Sequence, residues 1–295
     1  MPLQAKDSVH EEQIKAGVKG RRKGHNFEKK LAEYLNSFSY QDDLSKECLC
    51  HMVTGHPAIE LIRYICQIEK IAKINEVKAF WVGGLATCGE GDRLEDSSGN
   101  LVTGSKSDIV VQINYADGKV IKRGVSVKTC NKKTPTNDQL FLSTAIAFCK
   151  LLRLNGIEVS DQAEEALRMF CGDEGLRPID IYTQKELKER KSDPERFFWE
   201  ELPKDGREEL EKIFTNHQKL ITTILLQRAY PNDPYPPQYL LHQTVKYSDI
   251  NQCPLAIFEI EELVNYSFKF KGFYKKKYPV RKGRYKSDPN IHEAP

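Results

Sequence analysis

The chain has 295 residues, of which 39% are apolar and 29% charged, and a formal net charge of +3. That composition suits a folded globule of one large or two ordinary domains and excludes a peptide or a fibre. No run of about 18 consecutive apolar residues occurs, and the polar opening MPLQAKDSVHEEQIKAG lacks an apolar h-region and a small-residue cleavage site, so neither a membrane span nor a secretion signal is expected.

A first helix is predicted from Asn26, which follows Gly24 and His25 as an N-cap and leads into Phe27, Leu31, Tyr34 and Leu35 on one face. Glu28 lies beside that stripe. A second helical pattern runs through Ile59, Ile62, Ile65, Ile68 and Ile71, bounded by Pro57 and Asn75. Ala79 to Val82 reads as a short buried strand. Gly83 to Ser107 is a long polar connection without a hydrophobic period, and such loops are often functional. The period then changes to two: Ile109, Val111, Ile113 and Tyr115 alternate with polar or smaller neighbours, Ala116-Asp117-Gly118 turns the chain, and Val120 to Lys128 returns as a hairpin. Asn137 to Asn155 has a helical pattern ending at Gly156. From Ser160 to about Gln227 the chain reads as mostly helical, with breaks near Gly172, Pro178, Pro194 and Pro203. The run Tyr230 to Pro237 is Pro-rich and reads as a linker or boundary. Strands are expected again at Leu255 to Ile260 and in the aromatic tail.

The small net charge conceals an asymmetry. Acids outnumber bases between Glu158 and Glu211, so positive charge concentrates elsewhere: near Arg21 to Lys30, from Lys119 to Lys133, and from Lys269 to Lys286. In that tail bases alternate with rings, among them Phe268, Phe270, Lys275, Lys276, Lys277, Arg281 and Arg284, a composition suited to a polyanion. The alternative is a solvated edge strand whose Phe side faces a core. Eight irregularly spaced Cys without a CxxC pair suggest reduced thiols of a cytoplasmic protein. Cys48, Cys50, His51 and His56 are too cramped for zinc to be expected.

In the hairpin, burying Ile109, Val111, Ile113, Val125 and Val127 on one face places Asp108, Ser126 and Lys128 together on the other. A carboxylate and an ammonium at one end of a strand pair can hold a hard cation and steady phosphate charge. An ordinary salt bridge or a capped strand start is the structural alternative. No GxSxG elbow, GxxxxGK[ST] loop or HExxH helix is present.

The segments Gly104-Ser105-Lys106-Ser107-Asp108-Ile109-Val110-Val111 and Gly124-Val125-Ser126-Val127-Lys128-Thr129 resemble the PD-(D/E)xK nuclease superfamily, in the form found in type II restriction endonucleases. The resemblance covers less than half of the chain. It implies an α/β fold with a mixed central β-sheet flanked by helices, here with a helical region and a β-containing C-terminal part. Residues 1–156 would form the nuclease core, 157–229 a helical acidic region, and 230–295 a Pro-rich linker with a basic, aromatic C-terminal segment. It further implies Mg²⁺-dependent cleavage of double-stranded DNA by a bacterial or archaeal homodimer. Asp108 would be the main metal ligand, Lys128 the catalytic lysine and Glu28 the early-helix acid. Ser126 departs from the pattern, which wants Asp or Glu, and a hydroxyl binds divalent cations more weakly than a carboxylate. Asp138, the sole acid between Lys128 and Glu158, is the candidate replacement, or else a helix-start residue favoured by the macrodipole. Lys132, Lys133, Asn137 and Gln139 are candidate DNA contacts. A structure-selective repair nuclease and a non-catalytic DNA-binding protein are the competing readings.

Overall fold

In the computed structural model of the chain, the described residues are 8–40, 44, 49–130, 144–190, 192–228, 232–244, 249–270, 273, 276–279 and 291–294. The chain divides into one unit of Met1–Gln139 with Leu226–Leu263 and a second of Leu140–Leu225 with Val264–Pro295.

The first unit is built on six strands: β1 (Met52–Gly55), β2 (Ile74–Trp81), β3 (Ile109–Tyr115), β4 (Val120–Cys130), β5 (Pro237–Thr244) and β6 (Cys253–Glu259). Their order is β1-β6-β5-β4-β3-β2. All neighbours are antiparallel except β4 and β5, which run parallel. Helices α1 (Ser8–Ser37) and α2 (Pro57–Glu69) bury Leu31, Leu35, Leu61, Ile62 and Ile65 in one core with Ile109, Val111, Ile113, Val125 and Val127. This is the mixed sheet flanked by helices that the sequence implies.

The hairpin register is the one that burial demands. Ile109 opposes Val125 and Ile113 opposes Ile121, so both apolar sets face the helices. The connection after β2 is less open than its composition suggests. It contains a short helix α3 (Leu85–Cys88), and its Leu94 and Val102 are buried with Val82 and Val110 in a second, smaller cluster. Helix α2 begins with Pro57 in its first turn and His56 as N-cap, whose Nδ1 accepts from the Ala58 amide. Burial holds the His56 pKa below its ordinary value, which keeps the ring a neutral acceptor.

Several boundaries differ from the sequence prediction. Helix α1 begins at Ser8 and not at Asn26, because Gly20 and Gly24 are tolerated inside a helix at a cost of about 1 kcal/mol each. Its packed face still starts near Phe27. Strand β5, in the middle of the sheet, was not expected, nor was β1. The Pro-rich run therefore leads directly into the first unit's sheet instead of separating residues 230–295 from the core. The helix predicted over 137–155 is seen as α4 (Ala145–Leu154) with Thr144 as N-cap; residues 131–143 lie outside the described ones.

The second unit packs α4, α5 (Asp161–Cys171), α6 (Pro178–Ile181), α7 (Gln184–Arg190), α8 (Lys204–Asn216) and most of α9 (Gln218–Gln227). Trp199, Leu152, Ala163, Leu210 and Ile224 are buried at its centre. Helix α10 (Ile260–Ser267) follows β6, and β7 (Lys276–Pro279) pairs antiparallel with β8 (Ile291–Ala294). Phe268 and Phe270 belong to a turn after α10 and not to a strand. No helix among the described residues is long and apolar enough to cross a membrane.

One ion pair ties α2 to the hairpin. Arg123 Nε and Nη2 donate to the two oxygens of Glu69 at 2.5 and 2.9 Å, and the Tyr239 hydroxyl donates to Oε1 at 3.0 Å. The hydrogen bond from Arg123 holds the Glu69 carboxyl below its ordinary value of 4.5. We predict that Glu69→Ala lowers stability by about 2 kcal/mol, since it strands half-buried donors. In urea titrations the difference from wild type should be fully present above pH 4.5 and vanish as pH falls through the lower folded-state value. A pH-independent difference would show that the charge contributes nothing.

Candidate active site

Asp108 precedes β3 and is fixed through its backbone. Its amide donates to the Val125 carbonyl at 2.9 Å, and its carbonyl accepts from Val82 and Gly83 at 3.1 and 3.0 Å. The side chain is therefore set by the ends of β2 and β4 together. Its Oδ2 accepts from the Val127 amide at 2.6 Å and from the Ser126 hydroxyl at 3.3 Å. Lys128 Nζ stands 3.6 Å from the same oxygen and donates to the Val127 carbonyl at 3.3 Å. The side chains of Lys128 and Asp108 keep 29% and 19% of their surface in solvent, so the pair converges at an accessible place.

Glu28 reaches this place from α1. It is buried, and its Oε2 accepts from Trp81 Nε1 at 3.1 Å. Burial first, and the Asp108 carboxylate second, push its carboxyl up to about 7, against the opposing effects of the Trp81 bond and Lys128. Gly83 makes room for it: a Cβ there would lie 2.6 Å from Glu28 Oε2 and 3.2 Å from Asp108 Cα. Strand alternation brings Asp108, Ser126 and Lys128 to one face, the resemblance names Glu28 as the early-helix acid, and in the structure Glu28 lies near Asp108. Ser126 is buried and donates to Asp108, so where an acid was wanted there is a group that orients one.

Three further residues contribute to the site without a sequence signal that marks them for it. Lys106 is half-buried, and its pKa is lowered first by burial and then by the nearby Lys128 ammonium, with Asp108 opposing. Asp233 accepts from the Lys106 amide at 2.7 Å, the Ser105 hydroxyl at 2.9 Å and the Tyr235 amide at 3.0 Å, and Ser107 Oγ donates to the Tyr235 carbonyl at 2.7 Å. The segment before β5 thus clamps the residues that lead into Asp108. Its only local signal is an Asp two residues before an amide it can accept from, the usual grammar of a turn. Gly83 is the third. The acids of the long connection hold it in place: Asp92 accepts from the Trp81 amide, and Asp96 from the Ser98 and Asn100 amides.

Asp138, Lys132, Lys133, Asn137 and Gln139 lie outside the described residues, as do Lys275, Arg281 and Arg284. Lys276 and Lys277 stand in β7, paired with Ala294 and Glu293. His51 and His56 do not meet as metal ligands: His51 engages the Tyr64 hydroxyl and Glu262, while His56 caps α2.

A hard cation prefers oxygen ligands, and Mg²⁺ is commonly held by one or two carboxylates with water in its other positions. Glu28 and Asp108 fit that description, with Gly83 leaving the space between them clear. Among the described residues no group of three or more His, Cys, Asp or Glu side chains is disposed to hold a metal.

No protein-family model matches the chain, and no curated protein matches it in sequence. Among solved structures it is similar to the restriction endonuclease MspI in complex with its cognate DNA, at 12% identity and a TM-score of 0.39, over 80% of this chain and 77% of that one. At that level the likeness leaves function to be argued from this chain's own residues.

The Gly83 contact is testable by a double-mutant cycle. Gly83→Ala should cost about 1–3 kcal/mol through overpacking. In a Glu28→Ala background, where the colliding carboxylate is absent, that cost should shrink measurably in urea unfolding. Equal costs in both backgrounds would mean that Gly83 and Glu28 do not press on one another.

Proposed function

We propose that the chain is a Mg²⁺-dependent endonuclease that hydrolyses phosphodiester bonds of double-stranded DNA, as a homodimeric type II restriction enzyme with a defined recognition site. The observation that carries this is the convergence of Asp108, Lys128 and Glu28 at one accessible end of the sheet. Glu28 and Asp108 would hold the cation. Bound there, it would neutralise charge on the scissile phosphate and promote the attack of water.

The chain's own groups do the rest. Lys128, anchored by the Val127 carbonyl and drawn toward Asp108, directs its ammonium at the charge that builds on phosphorus. Lys106 places a second ammonium near the first. Water attacks phosphorus in line, giving up a proton to solvent, as the opposite ester P–O bond breaks and the leaving oxygen takes a proton from solvent. Val127 and Ser126 keep Asp108 from rotating away, and Asp233 holds the approach to it. Two strands cut at one site call for two copies related by a two-fold axis.

Purified chain incubated with long mixed-sequence DNA and Mg²⁺ should give discrete fragments whose mapped ends share one sequence. Asp108→Ala and Lys128→Ala should each lower cleavage by at least about 10²–10³-fold, while Asp108→Ala still shifts DNA in a binding assay. Ends clustered at junctions or flaps would point to a structure-selective nuclease. A second reading, DNA binding without catalysis, is favoured by Ser126 at the place of the usual acid; binding with no Mg²⁺-dependent cutting of any DNA would establish it.

A further inference from the structure

The last turn of α10 and the turn that follows it, within the second unit, display rings that its core does not use. Tyr266, Phe268 and Phe270 are 54%, 60% and 60% exposed. Single exposed aromatics need no explanation, but these three fall within five consecutive residues whose backbone is fixed. Lys269 and Phe270 amides donate to the Tyr266 and Ser267 carbonyls at 3.0 and 3.1 Å. Gln218 Nε2, from α9, donates to the carbonyls of both Ser267 (2.8 Å) and Phe270 (3.2 Å). Phe273 then enters the core, 5.6 Å from the Trp199 ring and 5.9 Å from Phe214. The rings are thus held out on an anchored turn.

Chemistry narrows the occupant. Lys269 Nζ lies 5.0 Å from the Tyr266 ring centroid, and Phe270 meets Tyr266 edge-on at 5.5 Å. No Asp or Glu occurs between Glu262 and Asp288, whereas Lys and Arg recur through that stretch. An apolar protein partner has no use for the Lys269 ammonium and a sequence so rich in bases, and a simple polyanion has no use for the rings. A nucleic acid strand offers both phosphates and flat π-faces. In a duplex the base faces are stacked on one another, so rings can reach them only where bases are unpaired.

We propose that Tyr266, Phe268 and Phe270, with Lys269, form a stacking platform for unpaired nucleobases of a nucleic-acid strand. This rests on the nucleic-acid partner of the preceding section but not on its hydrolytic chemistry. The test uses full-length protein in EDTA at fixed salt, with fluorescence anisotropy of two labelled strands: a short oligothymidylate and an abasic deoxyribose-phosphate strand with the same number of phosphates. Wild type should prefer the base-bearing strand. Phe268→Ala/Phe270→Ala should lose that preference by weakening only the oligothymidylate, roughly fivefold to a hundredfold per ring, and Phe268→Tyr/Phe270→Tyr should keep it. Lys269→Ala should weaken both strands. Equal affinity of wild type for the two strands, or a preference that survives loss of both Phe rings, overturns the proposal even if duplex DNA is bound and cut. Binding of neither strand and no duplex overturns the nucleic-acid reading with it. Self-association that the Phe268→Ala/Phe270→Ala pair abolishes, with strand preference absent, would assign the surface to a second copy of the chain.

Discussion

The site depends on one register. In the β3–β4 pair Ile109 opposes Val125, which puts Asp108 beside Ser126 and brings its carboxylate to the Val127 amide. A slip of one residue would turn one strand's apolar set, Ile109, Val111 and Ile113 of β3 or Val125 and Val127 of β4, out of the core. At about 1.5–3 kcal/mol for each buried branched side chain, that loss is on the order of the whole stability of an ordinary domain. The polar face is thereby positioned by apolar burial on the other side of the same strands. The chemistry is held to the accuracy of a sheet and not that of a loop.

The charges gathered there are balanced but not content. Asp108 faces Lys128, yet Glu28 sits near Asp108, and Lys106 near Lys128. Each like-charged neighbour works against its partner in a half-buried setting where water screens incompletely. Under the proposed function such an arrangement would gain from ligands that bring both signs: a cation between the acids and an anion before the ammonium groups. A phosphodiester accompanied by a divalent metal is one such combination.

The hairpin and its polar face could be read from residues because alternation and burial dictate register locally. Helix α2 was legible for similar reasons, with Pro57 and the isoleucine period marking it. What stayed hidden was non-local. Strand β5 begins at a proline that closes a Pro-rich run, and its Tyr239-Leu240-Leu241-His242 is buried throughout, so it shows no alternation to detect. Asp233 finds Ser105 at a separation of 128 positions, which no spacing rule anticipates. Gly20 and Gly24 disguised the first turns of α1, and Leu94 and Val102 were too sparse to show that the connection after β2 carries its own small core. The placement of Glu28 beside Asp108 needed the helix to cross the end of the sheet, a tertiary fact that its neighbours in the chain do not encode.

The parallel pairing of β4 with β5 has a consequence for how the molecule assembles. On a ribosome the hairpin emerges long before Pro237 to Thr244, since residues 131–236 must be made in between. Until then the outer edge of β4 has unpaired amides and carbonyls, and the Asp233 clamp does not yet exist. Closing so long a loop is slow because its entropy is lost before the strand contacts form. The nascent chain therefore passes through an interval in which the β4 edge is open, and the finished site appears late, only once the distant strand has docked.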